Sequence, residues 1–323
     1  MSLNVETKLR LLRTMLRIRR VQERIESEYM KDEMKTPVHL YIGQEAIATG
    51  VCACLRDDDA INSNHRSHGH YLAKGGDLNA LMAELFCKAT GCSGGYGGSM
   101  HLVDVAHGNM GTSAIVGGGI PIGTGQGLAM KMQGQDRVSV VFFGDGAADE
   151  GTLYESLNFA MLKQLPVVYV MENNGWAVCS PTATRHCGDN VFHKGAVDRL
   201  FTAKIDGNDP ELVYETAAKA VARARSGGGP SFIECVTYRI LGHAGCWQQD
   251  PKGYRDPAEI DAWRERCPVC TYQQALQAQG LLSEADLSAL EAEVGAEIDA
   301  AFEFARQSPL PVAEAMHNHL FCE

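Results

Sequence analysis

Apolar residues fall at helical spacing near the start of the chain: Leu9, Leu12, Met15, Leu16, Ile18 and Val21 recur among basic residues across 6–33. Gln44–Val51 predicts a short helix, 62–70 a loop rich in His and Asn, and Leu78–Cys87 another helix. The pattern then changes. Glycine is dense from 91 to 127, as in Gly94-Gly95-Tyr96-Gly97-Gly98, Gly117-Gly118-Gly119 and Gly123-Thr124-Gly125-Gln126-Gly127. Serine is sparse there and apolar residues are interleaved, so the stretch is no flexible linker. Such density implies backbone conformations closed to other residues, or backbone lying against a ligand.

The middle of the chain alternates short apolar runs with helical patterns. Val138–Phe143 suits a buried parallel strand and is broken by Gly144-Asp145-Gly146. Thr152–Gln164 carries one apolar helix face through Leu153, Leu157, Ala160 and Met161, and Val167–Met171 reads as a second strand, ending in Glu172-Asn173-Asn174-Gly175. This is a βαβ unit with a right-handed crossover expected. A helix over Asp209–Ser226 and a strand over Ser231–Tyr238 follow, and 257–307 is mainly acidic amphipathic helix. The fold class is α/β, with a mostly parallel sheet flanked by helices. One domain is expected over 1–323: a helical segment 1–40, a core 41–245 and a helical tail 255–323.

Composition narrows the partners. The formal charge of −11 argues against a broad nucleic-acid surface. No run approaches the roughly 20 apolar residues that span a bilayer, and Thr7–Glu23 is too interrupted by charge for a signal peptide. Eleven cysteines without framework spacing read as reduced thiols, which with no secretory signal implies a cytoplasmic protein. The one CxxC, Cys267-Pro268-Val269-Cys270, has no second pair and reads as two cysteines at a helix start.

The chemistry lies where two strands end. In an open α/β sheet, ligands sit beyond the carboxyl ends of the strands. Asp145 closes one strand and Asn174 the next, so a carboxylate and an amide oxygen meet on one edge. Few, hard oxygen ligands suit Mg²⁺ carrying phosphate oxygens. Gly144 and Gly146 let backbone approach, and the following helix is expected to offer N-terminal N–H groups to phosphate. A lone Gly-Asp-Gly is a common turn. Paired with Asn-Asn at the next strand end, it resembles the thiamine diphosphate motif of transketolase, pyruvate decarboxylase and the 2-oxo acid dehydrogenases.

The order of segments is similar to that of the E1 component α subunits of pyruvate, branched-chain and acetoin dehydrogenases, over nearly the whole chain. The matching stretches are Gly43–Ala46, His65–His70, Lys88–His101, Ile115–Pro121, Gly144–Trp176 and Thr237–His243. The resemblance implies a thiamine diphosphate-binding fold. It implies Mg²⁺ held by Asp145, Asn174 and the backbone carbonyl of Trp176, with Gly144, Gly146 and Ala147 along the diphosphate. It implies Arg66 and Arg239 as diphosphate grips, and His65 beside Arg66 where the family often has Tyr. Ala114 would hold the aminopyrimidine through its backbone and Val116 would support the bent cofactor. His243 is implied as the proton donor or acceptor, or as the group that orients a lipoyl acceptor, and His68 as a second catalytic candidate. His65, His68 and His70 could also suggest zinc, but no Cys is near and Arg66 would repel a cation.

The resemblance further implies that the Glu activating the cofactor lies on another chain. About 80 mostly helical residues follow His243, too few for the family's second α/β domain. An E1 β subunit in an α₂β₂ assembly and a lipoyl-bearing E2 are the implied partners. The substrate would be a small 2-oxo acid that loses CO₂, or acetoin, with the acyl group passed to the lipoyl arm. The lack of a long N-terminal extension leans toward a bacterial pyruvate- or acetoin-type enzyme. Ala244 stands where some mitochondrial members carry a phosphorylated Ser, so no such switch is expected there, and the altered 244–250 loop clouds substrate choice. Two alternatives remain open: a stand-alone carboligase that has lost the lipoyl partner, and an NAD-binding oxidoreductase. The latter would use Gly123-Thr124-Gly125-Gln126-Gly127, whose spacing departs from a dinucleotide fingerprint.

Overall fold

A computed structural model of the chain describes residues 3–186, 200–246 and 253–318. The elements run α1 (Val5–Tyr29), α2 (Glu45–Cys52), β1 (Ala60–Ser63), α3 (His68–Ala73), α4 (Leu78–Leu85), β2 (Asn109–Thr112), α5 (Gly119–Met132), β3 (Ser139–Gly144), α6 (Gly151–Lys163) and β4 (Val167–Asn173). They continue with β5 (Trp176–Ala177), β6 (Ser180–Pro181), α7 (Thr182–Arg185), β7 (Phe201–Asp206), α8 (Pro210–Arg225), β8 (Ser231–Val236), α9 (Pro257–Glu265), α10 (Pro268–Ala278) and α11 (Glu284–Gln307). Six strands form one sheet in the order β2-β1-β3-β4-β8-β7, every pair parallel.

The strands are apolar on both faces because helices cover both. From β3, Val140 and Phe142 pack toward Val213 and Ala217 of α8 and Ile47 of α2. Their neighbours Val141 and Phe143 point the other way, onto Ile120 of α5 and Leu153 and Leu157 of α6. Burying one such side chain contributes about 1.5–3 kcal/mol, so the register of β3 is strongly specified.

The glycine run has a packing cause. Gly123 and Gly127 lie inside α5, where an added Cβ would come within 2.3 Å of Val141 and 2.4 Å of Val167. Helix and sheet meet too closely for a side chain. The run is therefore no phosphate loop, and the dinucleotide reading loses its motif.

Helices α1, α4 and α11 form a further layer around Ile18, Val21, Leu81, Leu85, Ile298 and Phe302. The basic start and acidic tail of the chain are complementary. Arg13, Arg17 and Arg20 of α1 pair with Glu293, Glu297 and Glu291 of α11 at 2.6, 2.7 and 2.5 Å. Among the described residues, no helix is long and apolar enough to cross a membrane.

Several boundaries differ from the sequence expectations. Of the expected 62–70 loop, 64–67 is irregular while 62–63 ends β1 and 68–70 begins α3, and the expected helical stretch 257–307 is divided into three helices. Strand β7 was not foreseen: Phe201-Thr-Ala-Lys-Ile-Asp206 is half polar and lies on the sheet edge, where burial does not demand a continuous apolar run.

Candidate active site

The carboxyl ends of β1, β3 and β4 open onto a cleft of ≈ 750 Å³. Gly144 and Glu172 are register partners, so parallel pairing brings Asp145 and Asn174 to the same edge. Ten of the expected site residues line the cleft: His65, Arg66, Val116, Gly144, Asp145, Gly146, Ala147, Asn174, Trp176 and His243. Ala114, Arg239 and His68 are not in its lining.

Asp145 is 1% exposed and accepts from Thr182 Oγ1 at 3.2 Å and from Arg185 Nη2. Burial pushes its carboxyl above the ordinary range, and Arg185 opposes that shift. Arg185 also pairs with Asp149, so the chain's own guanidinium neutralises the carboxylate here. After β3 comes a 3₁₀ turn, Asp145–Asp149, and α6 begins only at Gly151. The expectation that a helix N-terminus adjoins Asp145 is corrected: the tight turn supplies the nearby N–H groups.

Asn174 is held on both sides. Its Nδ2 donates to Gln44 Oε1 at 3.0 Å, and its Oδ1 accepts from the Trp176 N–H at 3.1 Å. Gly175, at φ +80°, lets the chain fold back so that the Trp176 backbone returns to Asn174. A carboxylate oxygen, an amide oxygen and a nearby main-chain carbonyl are the donor set a hard divalent cation takes.

Facing them is a concentration of buried positive charge. Arg66 is 4% exposed, donates to the carbonyls of Leu40 (2.5 Å) and His243 (3.0 Å), and has its pKa driven down to about 9 by burial and by Arg239. Arg239 is 1% exposed and uses Nη2 on Val178 O and Tyr254 Oη, while its Nε and Nη1 find no partner among the described residues. A buried guanidinium with two unpaired nitrogens, bearing three N–H groups, is costly unless an anion completes it. That deficit, beside Val178 of the cleft that Asp145 and Asn174 also line, fits a diphosphate with its cation.

His39, His65 and His243 place one ring nitrogen each within 4.8 Å of one another. Burial first, then the nearby Arg66, pushes them down to about 4, 2 and 3, so all three are uncharged at neutral pH. His68 and His70 do not join this cluster. His68 is fully buried, contacting Ser99 Oγ at 2.7 Å and Gln22 Oε1 at 3.2 Å. A direct catalytic contact for His68 is corrected on that ground: α3 turns it into the core, away from the cleft. His70 contacts Ser63 Oγ at 2.7 Å and Glu172 Oε1 at 3.0 Å, so the expected rejection of a His65–His68–His70 zinc site follows from three diverging rings.

Ile115 and Val116 line the cleft yet are 71% and 51% exposed. Of the altered loop, Ala244–Cys246 is described, and Trp247–Asp250 lies outside the described residues. Gln44, Glu172, His39 and Arg185 were missed as site residues. Gln44 and Glu172 stood in matching stretches without a role, and His39 and Arg185 are brought in only by folding.

The pattern of the dehydrogenase E1 component matches residues 13–314. The chain is 41% identical to the alpha subunit of acetoin:2,6-dichlorophenolindophenol oxidoreductase of Bacillus subtilis (strain 168), over 96% of this chain and 92% of that one. It is 38% identical to chloroplastic pyruvate dehydrogenase E1 component subunit alpha-3 of Arabidopsis thaliana, over 91% of this chain and 70% of that one. It is 35% identical to pyruvate dehydrogenase E1 component subunit alpha of Rickettsia bellii (strain RML369-C), over 95% and 93%. With strand ends, buried cations and family pattern in agreement, the chain belongs to the dehydrogenase E1 component family.

Proposed function

We propose that the chain is the α subunit of a thiamine diphosphate-dependent E1 enzyme acting on a pyruvate-like 2-oxo acid or on acetoin. The observation that carries this is the buried Arg239, with two nitrogens unpaired among the described residues, held against Val178 of the cleft that Asp145 and Asn174 also line. Asp145, the Asn174 amide and the Trp176 carbonyl would hold Mg²⁺, while Arg66 and Arg239 take the diphosphate. Gly144, Gly146 and Ala147 allow close backbone approach. The Ala114 backbone and the Val116 side chain would carry the aminopyrimidine end. When bound, thiamine diphosphate supplies a nucleophilic carbon and an electron sink for the carbonyl substrate.

The residues of this chain bind, orient and handle protons. His243, uncharged and beside His65 with ring centroids 5.4 Å apart, is free to accept a proton at a ring nitrogen. A bound anion would raise its affinity for that proton. Ile115 and Val116 form an exposed apolar rim on the cleft, as expected where a second chain closes the site. That chain would be an E1 β subunit contributing the activating Glu, in an α₂β₂ assembly that passes the acyl group to a lipoyl E2. The test is coexpression with an E1 β subunit and reduction of an artificial electron acceptor with pyruvate or acetoin. Turnover with one of these, requiring both chains and the cofactor, is the expected result. Full turnover by this chain alone would overturn the two-chain site.

A further inference from the structure

The Cys267–Cys270 motif plays no part in the cleft. Cys267 caps α10, Pro268 takes its first position and Cys270 lies in the first turn. Cys267 is 9% exposed and Cys270 is at the surface. Three residues apart at a helix start, their side chains are neighbours on one face. A buried cation faces them: Arg19 Nη1 lies 3.3 Å from Cys267 Sγ, while its Nε is held by Glu45 Oε1 at 2.6 Å.

This arrangement serves thiol chemistry better than metal binding. Arg19 would repel a cation. Among the described residues, the only grouping of His, Cys, Asp or Glu that could share an ion is the separate His39–His65–His243 cluster, so nothing completes a thiolate tetrad. A guanidinium and a helix N-terminus both stabilise a thiolate, and one exposed cysteine beside a shielded one suits attack followed by resolution.

We propose that Cys267 and Cys270 form a reversible thiol–disulfide site that reacts with low-molecular-weight disulfides. The Cys270 thiolate attacks one sulfur of the small disulfide, forming a mixed disulfide and expelling one thiolate, which takes up the Cys270 proton. The Cys267 thiolate then attacks the Cys270 sulfur and expels the second small thiolate, which takes up the Cys267 proton. Two cysteines are oxidised, and one small disulfide is reduced to two thiols. Closure removes the thiolate acceptor facing Arg19. Burial and the neighbouring Cys267 push the Cys270 thiol above its ordinary value, so the first step accelerates as pH rises.

The test uses the full chain, equilibrated across glutathione to glutathione disulfide ratios, quenched in acid, alkylated with iodoacetamide and cut with trypsin. The peptide from Cys267 to Arg306 contains no other cysteine. In disulfide-rich mixtures it should lack two hydrogens and carry no alkyl group, and dithiothreitol should restore two alkylated thiols. Cys270→Ser should leave Cys267 alkylated throughout. Two alkylated thiols at every ratio would overturn the proposal. So would a glutathione adduct on Cys270 that never gives way to the ring.

Discussion

Alanine at Gly123 and at Gly125 should move stability in opposite directions, although both lie in α5. Each substitution removes a glycine from a helix interior, which favours folding by about 1 kcal/mol. At Gly125 nothing lies within 4 Å of the new Cβ, so that gain stands alone. At Gly123 the Cβ would sit 2.3 Å from Val141 Cγ2 and 3.1 Å from Asn62 Nδ2. Ordinary carbon contacts lie near 3.5–4.0 Å, so α5 or Val141 must shift by roughly an ångström. Val141 is β-branched and held between register partners Asn62 and Tyr169, so it has little room to yield. Overpacking of this kind costs about 1–3 kcal/mol. Gly125→Ala is therefore expected to stabilise by up to about 1 kcal/mol, and Gly123→Ala to lose up to about 2 kcal/mol net. Because helix propensity cancels in the comparison, the difference between the two variants isolates the clash. Urea unfolding followed by circular dichroism measures it through the midpoint at constant slope. Val141 precedes Asp145 on the same strand and turn, so Mg²⁺-dependent cofactor affinity should weaken for Gly123→Ala only. Equal midpoints for the two variants would refute close helix–sheet packing as the reason for these glycines.

Other expectations follow from the cleft. Asp145→Ala should make thiamine diphosphate binding insensitive to Mg²⁺ in calorimetric titrations; an undiminished Mg²⁺ effect would remove Asp145 as a ligand. Arg239→Met should weaken diphosphate binding about 10- to 100-fold, from the loss of charged hydrogen bonds worth about 1.5–3 kcal/mol, and unchanged affinity would place the anion elsewhere. His243→Ala should keep cofactor affinity and lower turnover on the order of 10²- to 10⁴-fold, whereas wild-type rates would deny it a proton-transfer role. His39, His65 and His243 are pushed down to about 4, 2 and 3, so below about pH 6.5 the unfolded chain binds more protons than the folded one. Stability of the cofactor-free chain should therefore fall as pH drops from about 6.5 toward these values, and His65→Gln should make that fall shallower. A pH-independent midpoint across this window would contradict the burial of neutral imidazoles.

What the sequence determined by itself were features set by local pattern. Val138–Phe143 and Val167–Met171 are apolar on both faces, which only a doubly covered parallel strand requires, and their polar ends Asp145 and Asn174 must then share an edge. Arg66, Trp176 and His243 came only with the family resemblance, and the fold brings them to the same cleft. Tertiary structure decided the rest, because the deciding contacts join residues far apart in the chain. Gln44 reaches Asn174, Arg185 reaches Asp145, and His39 meets His65 and His243 only once α2, α7 and the loop before α2 are packed. Three histidines within six residues looked like a cluster, yet α3 sends His68 and His70 to different partners, since a helix spreads neighbouring side chains around its axis. The glycine density likewise left two causes open, special backbone or approach to a ligand, and at Gly123 and Gly127 the sheet supplies another: the space denied to a side chain belongs to Val141 and Val167, and no local pattern records how closely a helix will approach its sheet.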